Sequence, residues 1–252
     1  MSIPKISIIT PVFNNEKDIV NCIRSVANQT YKNIEHIIID GGSKDRTVEL
    51  LKSYSEKYTH IIWISEKDNG IYDAMNKGIA MASGEYLWFM NAGDVFYSDN
   101  TVESLIEELN QSDIVYGAAV LVDDQGRDQG LYHKTLPEKL TWKNFIKGMV
   151  VCHQALIVKR SMVEVYSLDF KIASDIDWAI RNCKKTNKIH NSNTILCKFQ
   201  TGGLSKKRQR LALQERFKIL KNHFGLIDTI LAHISIVLQY FLVKLGFKKT
   251  RN

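Results

Sequence analysis

The sequence predicts an α/β fold, with one mixed, mainly parallel sheet flanked by helices and a helical extension at the C-terminus. Three observations support this prediction. Short apolar runs alternate with amphipathic segments through the first 110 residues, which is the pattern of βαβ units. The first run, Lys5 to Val12, is apolar almost throughout, as expected of a strand covered on both faces. Apolar residues are 44% of the 252 residues and charged residues 24%, so the chain can form a sizeable core.

Four strands and three helices are predicted in the first 90 residues. The strands are Lys5 to Val12, Ile34 to Ile39, Ile61 to Ile64 and Tyr86 to Met90. The helices lie between them, and their apolar positions are Ile19, Cys22, Ile23 and Val26, then Val48, Leu50, Leu51 and Tyr54, then the segment Ile71 to Met81. Asn14 is expected to cap the first helix, and Ser43 or Asp45 the second, because short polar side chains accept hydrogen bonds from the first turn.

The second half of the chain alternates less regularly. A helix is predicted over Thr101 to Leu109, a strand over Ile114 to Val122, and a strand over Leu156 to Val158. A further helix opens at Ala173 to Trp178 with carboxylates in its first turn, where the helix dipole favours negative charge.

Polar residues follow the predicted strands at their carboxyl ends. Pro11, Asp40, Asp68 and Asp94 all fall there, and open α/β sheets bind ligands at that edge. Asp94 follows a buried strand, and a hard cation that carries a phosphate needs oxygen ligands of this kind. The alternative is an ordinary turn, because Asn, Gly and Asp are common turn residues. No GxGxxG follows the first strand, which argues against a dinucleotide dehydrogenase.

Several ordered motifs resemble those of family 2 glycosyltransferases, in particular bacterial enzymes of exopolysaccharide and O-antigen synthesis. They are Thr10-Pro11-Val12-Phe13-Asn14, Ser25 to Thr30, Glu35 to Asp40, Asp40-Gly41-Gly42-Ser43, Asn76-Lys77-Gly78 and Gly84-Glu85-Tyr86. The resemblance extends over residues 5–205 and implies the GT-A fold. It also implies a catalytic domain over residues 1–205, with a nucleotide-sugar half (1–110) and an acceptor half (111–205), before the extension at 206–252.

The resemblance implies transfer of a sugar from a nucleotide-sugar to an acceptor hydroxyl, with inversion and with Mn²⁺ or Mg²⁺. Pro11 and Phe13 would line the base pocket, and Asp40 would accept a hydrogen bond from a uracil edge, which favours a UDP-sugar. Asp68 would hold the nucleoside, and Lys77 would lie near the diphosphate. The acceptor would be a lipid-linked sugar or an oligosaccharide.

The metal motif departs from the family pattern. Relatives commonly have Asp-x-Asp, often Asp-Ala-Asp-Asp, where this chain has Asn91-Ala92-Gly93-Asp94. Asp94 alone keeps a carboxylate and is the expected metal ligand; one acid suffices in principle when phosphates and waters complete the shell. Asn91 could bond the ribose or give a carbonyl oxygen. Gly41 replaces the second acid of the usual Asp-Asp-Gly-Ser. This reduced motif keeps open a second function, a degenerate nucleotide-sugar-binding or scaffold protein.

The acceptor half supplies the expected general base. Asp175 matches the family's base and lies six residues before Arg181. Asp177 is the alternative base, or a partner of Arg181. His153 is expected on the acceptor side. The segment 201–205 resembles a loop that closes over the diphosphate, with Lys206, Lys207 or Arg208 neutralising charge.

The four cysteines are scattered without CxxC spacing, which argues against a zinc site and is typical of reduced thiols in a cytoplasmic protein. Positive charge concentrates at the C-terminus: Lys198 to Asn252 has 12 Lys or Arg and 2 Asp or Glu, a net +10, against +7 for the whole chain. Such a tail suggests an anionic partner. Nucleic acid is disfavoured because no reader motif is present.

The tail contains two predicted helices, a basic amphipathic one over Leu211 to Phe224 and an apolar one over Leu226 to Phe247. The longest uncharged run, Thr229 to Val243, has 15 residues, and a spanning helix needs about 20. The sequence therefore predicts an interfacial helix on the inner face of the cytoplasmic membrane, with Lys248, Lys249 and Arg251 on lipid phosphates. The alternatives are a helix docked on the catalytic domain or on a second subunit in a homodimer.

Overall fold

A computed structural model of the chain describes residues 3–202 and 208–244, with the side chains of Val237 and of residues 239–244 excepted. Three parts of the predicted interaction surfaces lie outside the described residues. They are residues 203–205 of the loop, Lys206 and Lys207 beside it, and Lys248, Lys249 and Arg251 at the end of the tail.

Nine strands and seven α-helices are present in the described ranges. The strands are β1 (Ile6–Val12), β2 (Ile34–Asp40), β3 (Ile61–Ser65), β4 (Tyr86–Phe89), β5 (Val95–Phe96), β6 (Ile114–Val122), β7 (Asp128–Leu131), β8 (Leu156–Lys159) and β9 (Ile189–Gln200). The helices are α1 (Ile19–Ala27), α2 (Thr47–Lys57), α3 (Ile71–Met81), α4 (Ile106–Gln111), α5 (Ser174–Lys185), α6 (Gln209–Phe224) and α7 (Leu226–Lys244).

All nine strands belong to one sheet with the order β3-β2-β1-β4-β8-β6-β9-β5, and β7 pairs with β6. The first four strands in that order are parallel, and β8 is antiparallel to both β4 and β6. Strands β6 and β9 are parallel again. The prediction of a mixed, mainly parallel sheet is thus confirmed. In register, Val12 pairs with Asp40 and Asp40 with Ser65, so three strands end in line at one edge.

Apolar side chains cover both faces of the sheet, as the continuous apolar runs predicted. One face packs Ile9 and Phe89 against α3, α5 and α6 in a single core. On the other face, Ile8 and Trp88 pack against α1 and α4.

A buried carboxylate fixes the first strands to one another. Glu35 accepts hydrogen bonds from Ser7 and Ser83 and from the backbone N–H of Gly84, and it pairs with Lys5 at 2.6 Å. Burial alone would raise the pKa of Glu35, but these donors lower it to about 2. The β1, β2 and β4 strands are therefore tied together at their amino ends, away from the edge where they end.

The predicted helix caps are wrong in detail. Asn14 does not cap α1; its backbone has a φ of 46°, and its side-chain oxygen accepts the N–H of Lys44 across the loop. Helix α2 begins at Thr47, with no side-chain cap bond, although the Asp45 carboxylate accepts the N–H of Thr47 at 3.0 Å. Both side chains join two loops at the carboxyl edge of the sheet instead of serving one helix.

Two further elements differ from the sequence prediction. The helix expected over Thr101 to Leu109 is a 3₁₀ turn at Glu103–Leu105 followed by α4. Strand β9 was not predicted, because its residues are largely polar and half-exposed and show no alternation. It is held by its long pairing with β6.

The C-terminal helices pack on the sheet domain. Ile219 and Leu220 of α6 are buried in the main core, and Phe224 stacks on Trp142 with ring centroids 5.2 Å apart. Helix α7 contacts the 3₁₀ segment Trp142–Lys147. The expected boundary at residue 205 therefore does not separate two cores.

Glu215 on α6 makes the most extensive polar contact between the extension and the sheet domain. Its carboxylate accepts the backbone N–H groups of Lys171 and Ile172 at 2.8 Å and of Ala173 at 3.0 Å. These three N–H groups lie just before α5. Glu215 is buried, so no water can easily replace it as acceptor.

We expect Glu215→Ala to lower the free energy of unfolding by about 2 to 4 kcal/mol, because three buried N–H groups lose a charged acceptor. Urea unfolding followed by circular dichroism measures this loss. Glu56→Ala, at an exposed position of α2, is the matched control and should change stability little. Equal stability of the two variants would contradict the assigned role of Glu215.

Candidate active site

A cleft of about 700 Å³ opens at the carboxyl edge of the parallel strands. Ligand clefts commonly have volumes of roughly 300–1,000 Å³. Seven of the predicted site residues line it: Pro11, Phe13, Asp68, Asn91, Asp94, His153 and Asp175. Three predicted site residues, Asp40, Lys77 and Asp177, do not line it.

One end of the cleft has an aromatic surface and an acid. Phe13 follows β1 and is 59% exposed, an unusual position for a large apolar ring. Pro11 lies beside it in the lining. Asp68 accepts the N–H of Gly70 at 2.9 Å through one carboxylate oxygen. This end offers a flat apolar surface and a carboxylate, which are the contacts that a nucleoside uses.

Asp40 is fully buried and does not line the cleft, so the structure gives no support to the expected direct contact with a nucleotide base. Its carboxylate accepts the N–H groups of Gly42 and Ser43 and the hydroxyls of Ser43 and Ser65. Three of these donors bond Oδ2 and one bonds Oδ1, so most of the acceptor capacity of the carboxylate is used within the protein. Asp40 thus shapes the loop after β2.

At Gly41, where the family pattern described above has a second acid, the space for a side chain is occupied by a neighbouring side chain. A Cβ atom at Gly41 would lie 2.3 Å from Oδ2 of Asp68. The space that the missing side chain would need is therefore taken by an acid from the end of β3.

Lys77 was expected near the diphosphate, and the structure places it elsewhere. Its ammonium group pairs with Glu66 at 2.7 Å and donates to the carbonyl of Lys67 at 3.1 Å. The side chain holds the segment after β3 to α3 and does not reach the cleft lining.

Asp94 is 3% exposed and lies at the centre of a hydrogen-bonded unit. Oδ2 accepts the side-chain amide of Gln154, and Oδ1 accepts the backbone N–H of Gln200, both at 2.9 Å. Burial raises the pKa of Asp94 to about 7, against the lowering effect of these bonds. The group therefore changes charge near neutral pH, and an approaching cation would favour its ionised form.

Gly93 stands where relatives carry an acid, and its missing side chain is also replaced. A Cβ atom there would lie 2.1 Å from Oε1 of Gln200, so the Gln200 amide oxygen occupies that space. The side-chain oxygen of Asn91 is buried and has no hydrogen-bond partner within the described ranges. Both Asn91 and Asp94 line the cleft.

These oxygens fit a divalent cation that phosphates also hold. In the part of the chain that the structure describes, no cluster of three or more His, Cys, Asp or Glu side chains could hold a metal alone. The Asn91 oxygen lacks a donor, and each Asp94 oxygen has a single one. Mg²⁺ commonly takes one or two protein oxygens and fills its shell with phosphates and water.

Asp175 lies in the first turn of α5 and faces the same cleft. Burial raises the pKa of its carboxyl, while its backbone hydrogen bonds, the charge of Arg216 and the Tyr72 hydroxyl oppose that rise. Tyr72 donates to the carbonyl of Ile172 at 2.8 Å and lies 3.4 Å from Asp175. A carboxylate with a raised pKa at a cleft wall is a stronger base than an exposed acid, which suits it to accept a proton.

His153 lines the cleft, but its imidazole belongs to an aromatic cluster. Nε2 forms a hydrogen bond with the hydroxyl of Tyr166, and the ring packs against Phe89 and Trp178. Burial lowers the pKa of His153 to about 3, so the side chain is neutral. It can shape the cleft wall without carrying charge.

Asp177 is oriented away from the cleft, in contrast to its expected place on the acceptor side. It pairs with Arg181 at 2.7 Å, one of the two roles considered for it, and accepts a hydrogen bond from His223 of α6 at 2.8 Å. Although burial opposes it, these bonds lower the pKa of Asp177. Asp177 therefore connects α5 with α6.

Sequence reasoning missed several residues that line the cleft, among them Tyr72, Lys171, Gln200 and Arg216. Gln154, next to His153, was expected at the acceptor edge and does line the cleft. Gln200 lies on the unpredicted strand β9. Arg216 lies on α6, which the sequence assigned to a separate extension.

Comparisons with known proteins agree with this geometry. The family model described as glycosyl transferase family 2 matches residues 7–166. An uncharacterized glycosyltransferase of Mycobacterium tuberculosis is 35% identical over 219 residues, covering 84% of this chain and 81% of that protein. A PGL/p-HBAD biosynthesis glycosyltransferase of Mycobacterium bovis is 32% identical over 188 residues, covering 72% of this chain and 70% of that protein.

Two solved structures share the fold at low identity. S. aureus TarS 1-349 in complex with UDP-GlcNAc has a TM-score of 0.69 at 19% identity, with 85% of this chain covered. This chain spans 64% of that structure, less than two thirds of its length. The mannosyltransferase PcManGT from Pyrobaculum calidifontis, in complex with GDP-Man and Mn²⁺, has a TM-score of 0.62 at 14% identity, covering 98% of this chain and 81% of that one. These likenesses confirm the predicted GT-A fold.

The raised pKa of Asp94 predicts a pH-dependent stability difference between Asp94→Asn and the parent protein without added metal. Because the folded-state pKa, about 7, lies above the ordinary value of 3.8, the parent loses stability as pH rises between these values. The variant does not, so we expect it to gain on the order of 3 kcal/mol relative to the parent from pH 4 to pH 7.

Urea unfolding of both proteins at each pH measures this difference, and the paired comparison cancels the titration of all other groups. Above about pH 7 the difference should stay constant. A difference independent of pH throughout would show that Asp94 is ionised in the folded protein.

Proposed function

The chain belongs to glycosyl transferase family 2 and is a glycosyltransferase, and from this premise we propose that it moves a sugar from a nucleotide-sugar, a UDP-sugar in the first instance, to an acceptor hydroxyl with inversion. The observation that carries the proposal is the position of Asp175 and Asp94 on the wall of one cleft that also has the exposed ring of Phe13. The cleft thus combines a candidate general base (Asp175), an oxygen ligand for a phosphate-bound cation (Asp94) and a ring on which a nucleotide base can stack (Phe13).

Asp175 is the proposed general base. Its carboxylate takes the proton of the acceptor hydroxyl while the acceptor oxygen attacks the anomeric carbon from the face opposite the diphosphate. The bond from that carbon to the diphosphate oxygen breaks, and the nucleoside diphosphate leaves with its electron pair. One displacement of this kind inverts the anomeric centre.

Asn91 and Asp94 are the proposed protein ligands of Mn²⁺ or Mg²⁺. When bound, the metal supplies positive charge to the departing diphosphate. Gln154 and Gln200 hold the Asp94 carboxylate in place, which limits its reorganisation during the reaction.

In the proposed donor site, the nucleotide's base ring stacks on Phe13 beside Pro11, and its ribose lies near Asp68. The relatives' names give two donors, UDP-GlcNAc for TarS and GDP-Man for PcManGT, and they support a nucleotide-sugar in general. The expected uridine preference rested on Asp40, whose carboxylate accepts hydrogen bonds from Gly42, Ser43 and Ser65, and the assay with UDP-, GDP- and dTDP-sugars tests it. His153 would then contribute a neutral wall on the acceptor side.

We further propose an acceptor from cell-surface polysaccharide or glycolipid synthesis, as a lipid-linked sugar or an oligosaccharide, and O-antigen assembly is one such setting. The support comes from the relative named for PGL/p-HBAD biosynthesis. The protein would act in the cytoplasm, at the inner face of the membrane.

We expect Asp175→Asn to lower the rate of nucleoside diphosphate release by about 100- to 10,000-fold, because the acceptor hydroxyl loses its base. The assay supplies UDP-, GDP- and dTDP-sugars with Mn²⁺ and a bacterial lipid extract as acceptor source. Asp169→Asn, an exposed acid before α5, is the control and should keep full activity.

Two results would contradict the proposal. A parent protein that binds a nucleotide-sugar without turnover would indicate the degenerate binding or scaffold function. Full activity of the Asp175→Asn variant would show that Asp175 is not the general base. In the same assay, EDTA should stop turnover, and Asp94→Asn should need more Mn²⁺ to restore it.

Helix α7 supports the proposed membrane contact. Ile227, Leu231, Ile234 and Leu238 follow one another at helical spacing and are 74%, 58%, 49% and 56% exposed. Helix α6 adds the exposed basic residues Arg210, Lys218 and Lys221. None of the helices between residues 3 and 244, so far as they are described, is long and apolar enough to cross a membrane. An apolar stripe with nearby positive charge is typical of a helix that lies in the lipid interface.

We expect the protein to co-sediment with phosphatidylglycerol vesicles, and Leu231→Glu with Ile234→Glu to weaken binding about 10-fold or more. Val165→Glu with Leu168→Glu is the matched control, since these apolar residues are also exposed but lie outside α7. The contrary result would be a parent protein that does not bind vesicles but forms dimers, with the α7 variant monomeric. The apolar stripe would then be the interface with a second copy of the chain.

A further inference from the structure

Arg216 on α6 brings a guanidinium group to the cleft. Its side chain lines the same cleft as Asp94 and Asp175. Its Nε atom is buried and has no hydrogen-bond partner among the described residues. A buried donor without an acceptor is unfavourable, and the cost is greater for a charged group.

Glu215, which precedes Arg216 on α6, accepts three backbone N–H groups, so its charge is used elsewhere. Asp175 lines the same cleft; burial raises its pKa, and the charge of Arg216 lowers it in part. Within the described ranges these two groups form no ion pair, so the guanidinium is available to a ligand.

The position of Arg216 is fixed by its neighbours on α6. Glu215 attaches the helix to the segment before α5, and Ile219 and Leu220 are buried in the main core. Arg216 therefore starts from an anchored backbone, although it is 41 residues beyond Asp175 in the sequence. A preorganised donor of this kind needs little rearrangement to bind an anion.

We propose that Arg216 binds the diphosphate of the donor, so that α6 is part of the active site. The inference rests on the proposed function, which supplies a diphosphate. A planar guanidinium can hold two phosphate oxygens at once. As the bond from the anomeric carbon to the diphosphate breaks, negative charge grows on the leaving oxygen. Arg216 stabilises that charge while the acceptor proton passes to Asp175.

This assignment also explains the reduced acid content near β4. Gly93 and Asn91 stand where relatives have acids, so the chain offers fewer negative groups to a cation and the diphosphate gains a fixed positive group. The exposed Lys171 lines the cleft on the same side and would act as a weaker, solvated second cation.

Calorimetry with UDP, GDP and the matching nucleosides tests the proposal, with EDTA in one series and Mn²⁺ in the other. For the nucleotide that the parent binds, we expect Arg216→Gln to weaken diphosphate binding about 10- to 100-fold, because a charge-assisted bond is lost. Uridine or guanosine should bind the variant and the parent equally. Arg210→Gln makes the same change at an exposed position of α6 and should leave every affinity unchanged.

Arg216→Lys provides a second test that keeps the charge and the fold if the Gln variant is unstable. It should lose several-fold in UDP or GDP affinity without metal, because an ammonium group cannot hold two phosphate oxygens in the same way. Parent-like diphosphate affinity of either folded variant in EDTA overturns the proposal. Failure of the parent to bind any nucleotide overturns the proposed function first and this inference with it.

Discussion

The contact between one carboxylate and three backbone N–H groups determines where the candidate base lies. Glu215 accepts from Lys171, Ile172 and Ala173, the residues that lead into α5 and Asp175. A segment at a helix start has free N–H groups that must find acceptors, and here the acceptor comes from a different helix. The same helix carries Arg216 into the cleft. Asp175 and Arg216 therefore share this anchoring contact, and the Asp177–His223 bond and the burial of Ile219 and Leu220 reinforce it.

The cleft also places two desolvated acids close to where a negatively charged donor would bind. Burial raises the pKa of both Asp94 and Asp175, so each would hold its proton more strongly than an exposed acid. Positive charge brought by a metal or by Arg216 favours the ionised forms. Donor binding, metal binding and ionisation are thus expected to be linked in this site. The spaces at Gly41 and Gly93 are occupied by oxygens of Asp68 and Gln200, so a carboxylate fills the first space and a neutral amide the second.

The sequence could predict the elements whose signals are local. Strands β1, β2 and β4 are buried, largely apolar runs, β3 is a shorter and partly exposed apolar run, and Asp94 and Asp175 follow or open elements that periodicity locates. Tertiary contacts decided the rest. Asp40 is buried and accepts hydrogen bonds from Gly42, Ser43 and Ser65, and Lys77 pairs with Glu66 at 2.7 Å; spacing reveals neither contact. Strand β9 is polar and exists through its pairing with β6.

The same limit explains why the C-terminal helices were assigned to a separate extension. Their composition is basic and apolar, which signals a surface partner, whereas the role of Glu215 depends on partners up to 44 residues earlier in the chain. Helix α6 in fact faces two ways: its buried side completes the core and the cleft, and α7 packs against it at Phe217 and His233. If α7 lies on a lipid surface, its packing against α6 fixes the position of the cleft relative to that surface. A lipid-linked acceptor would then meet the cleft in a fixed orientation, because the surface contact and the phosphate contact belong to adjoining helices.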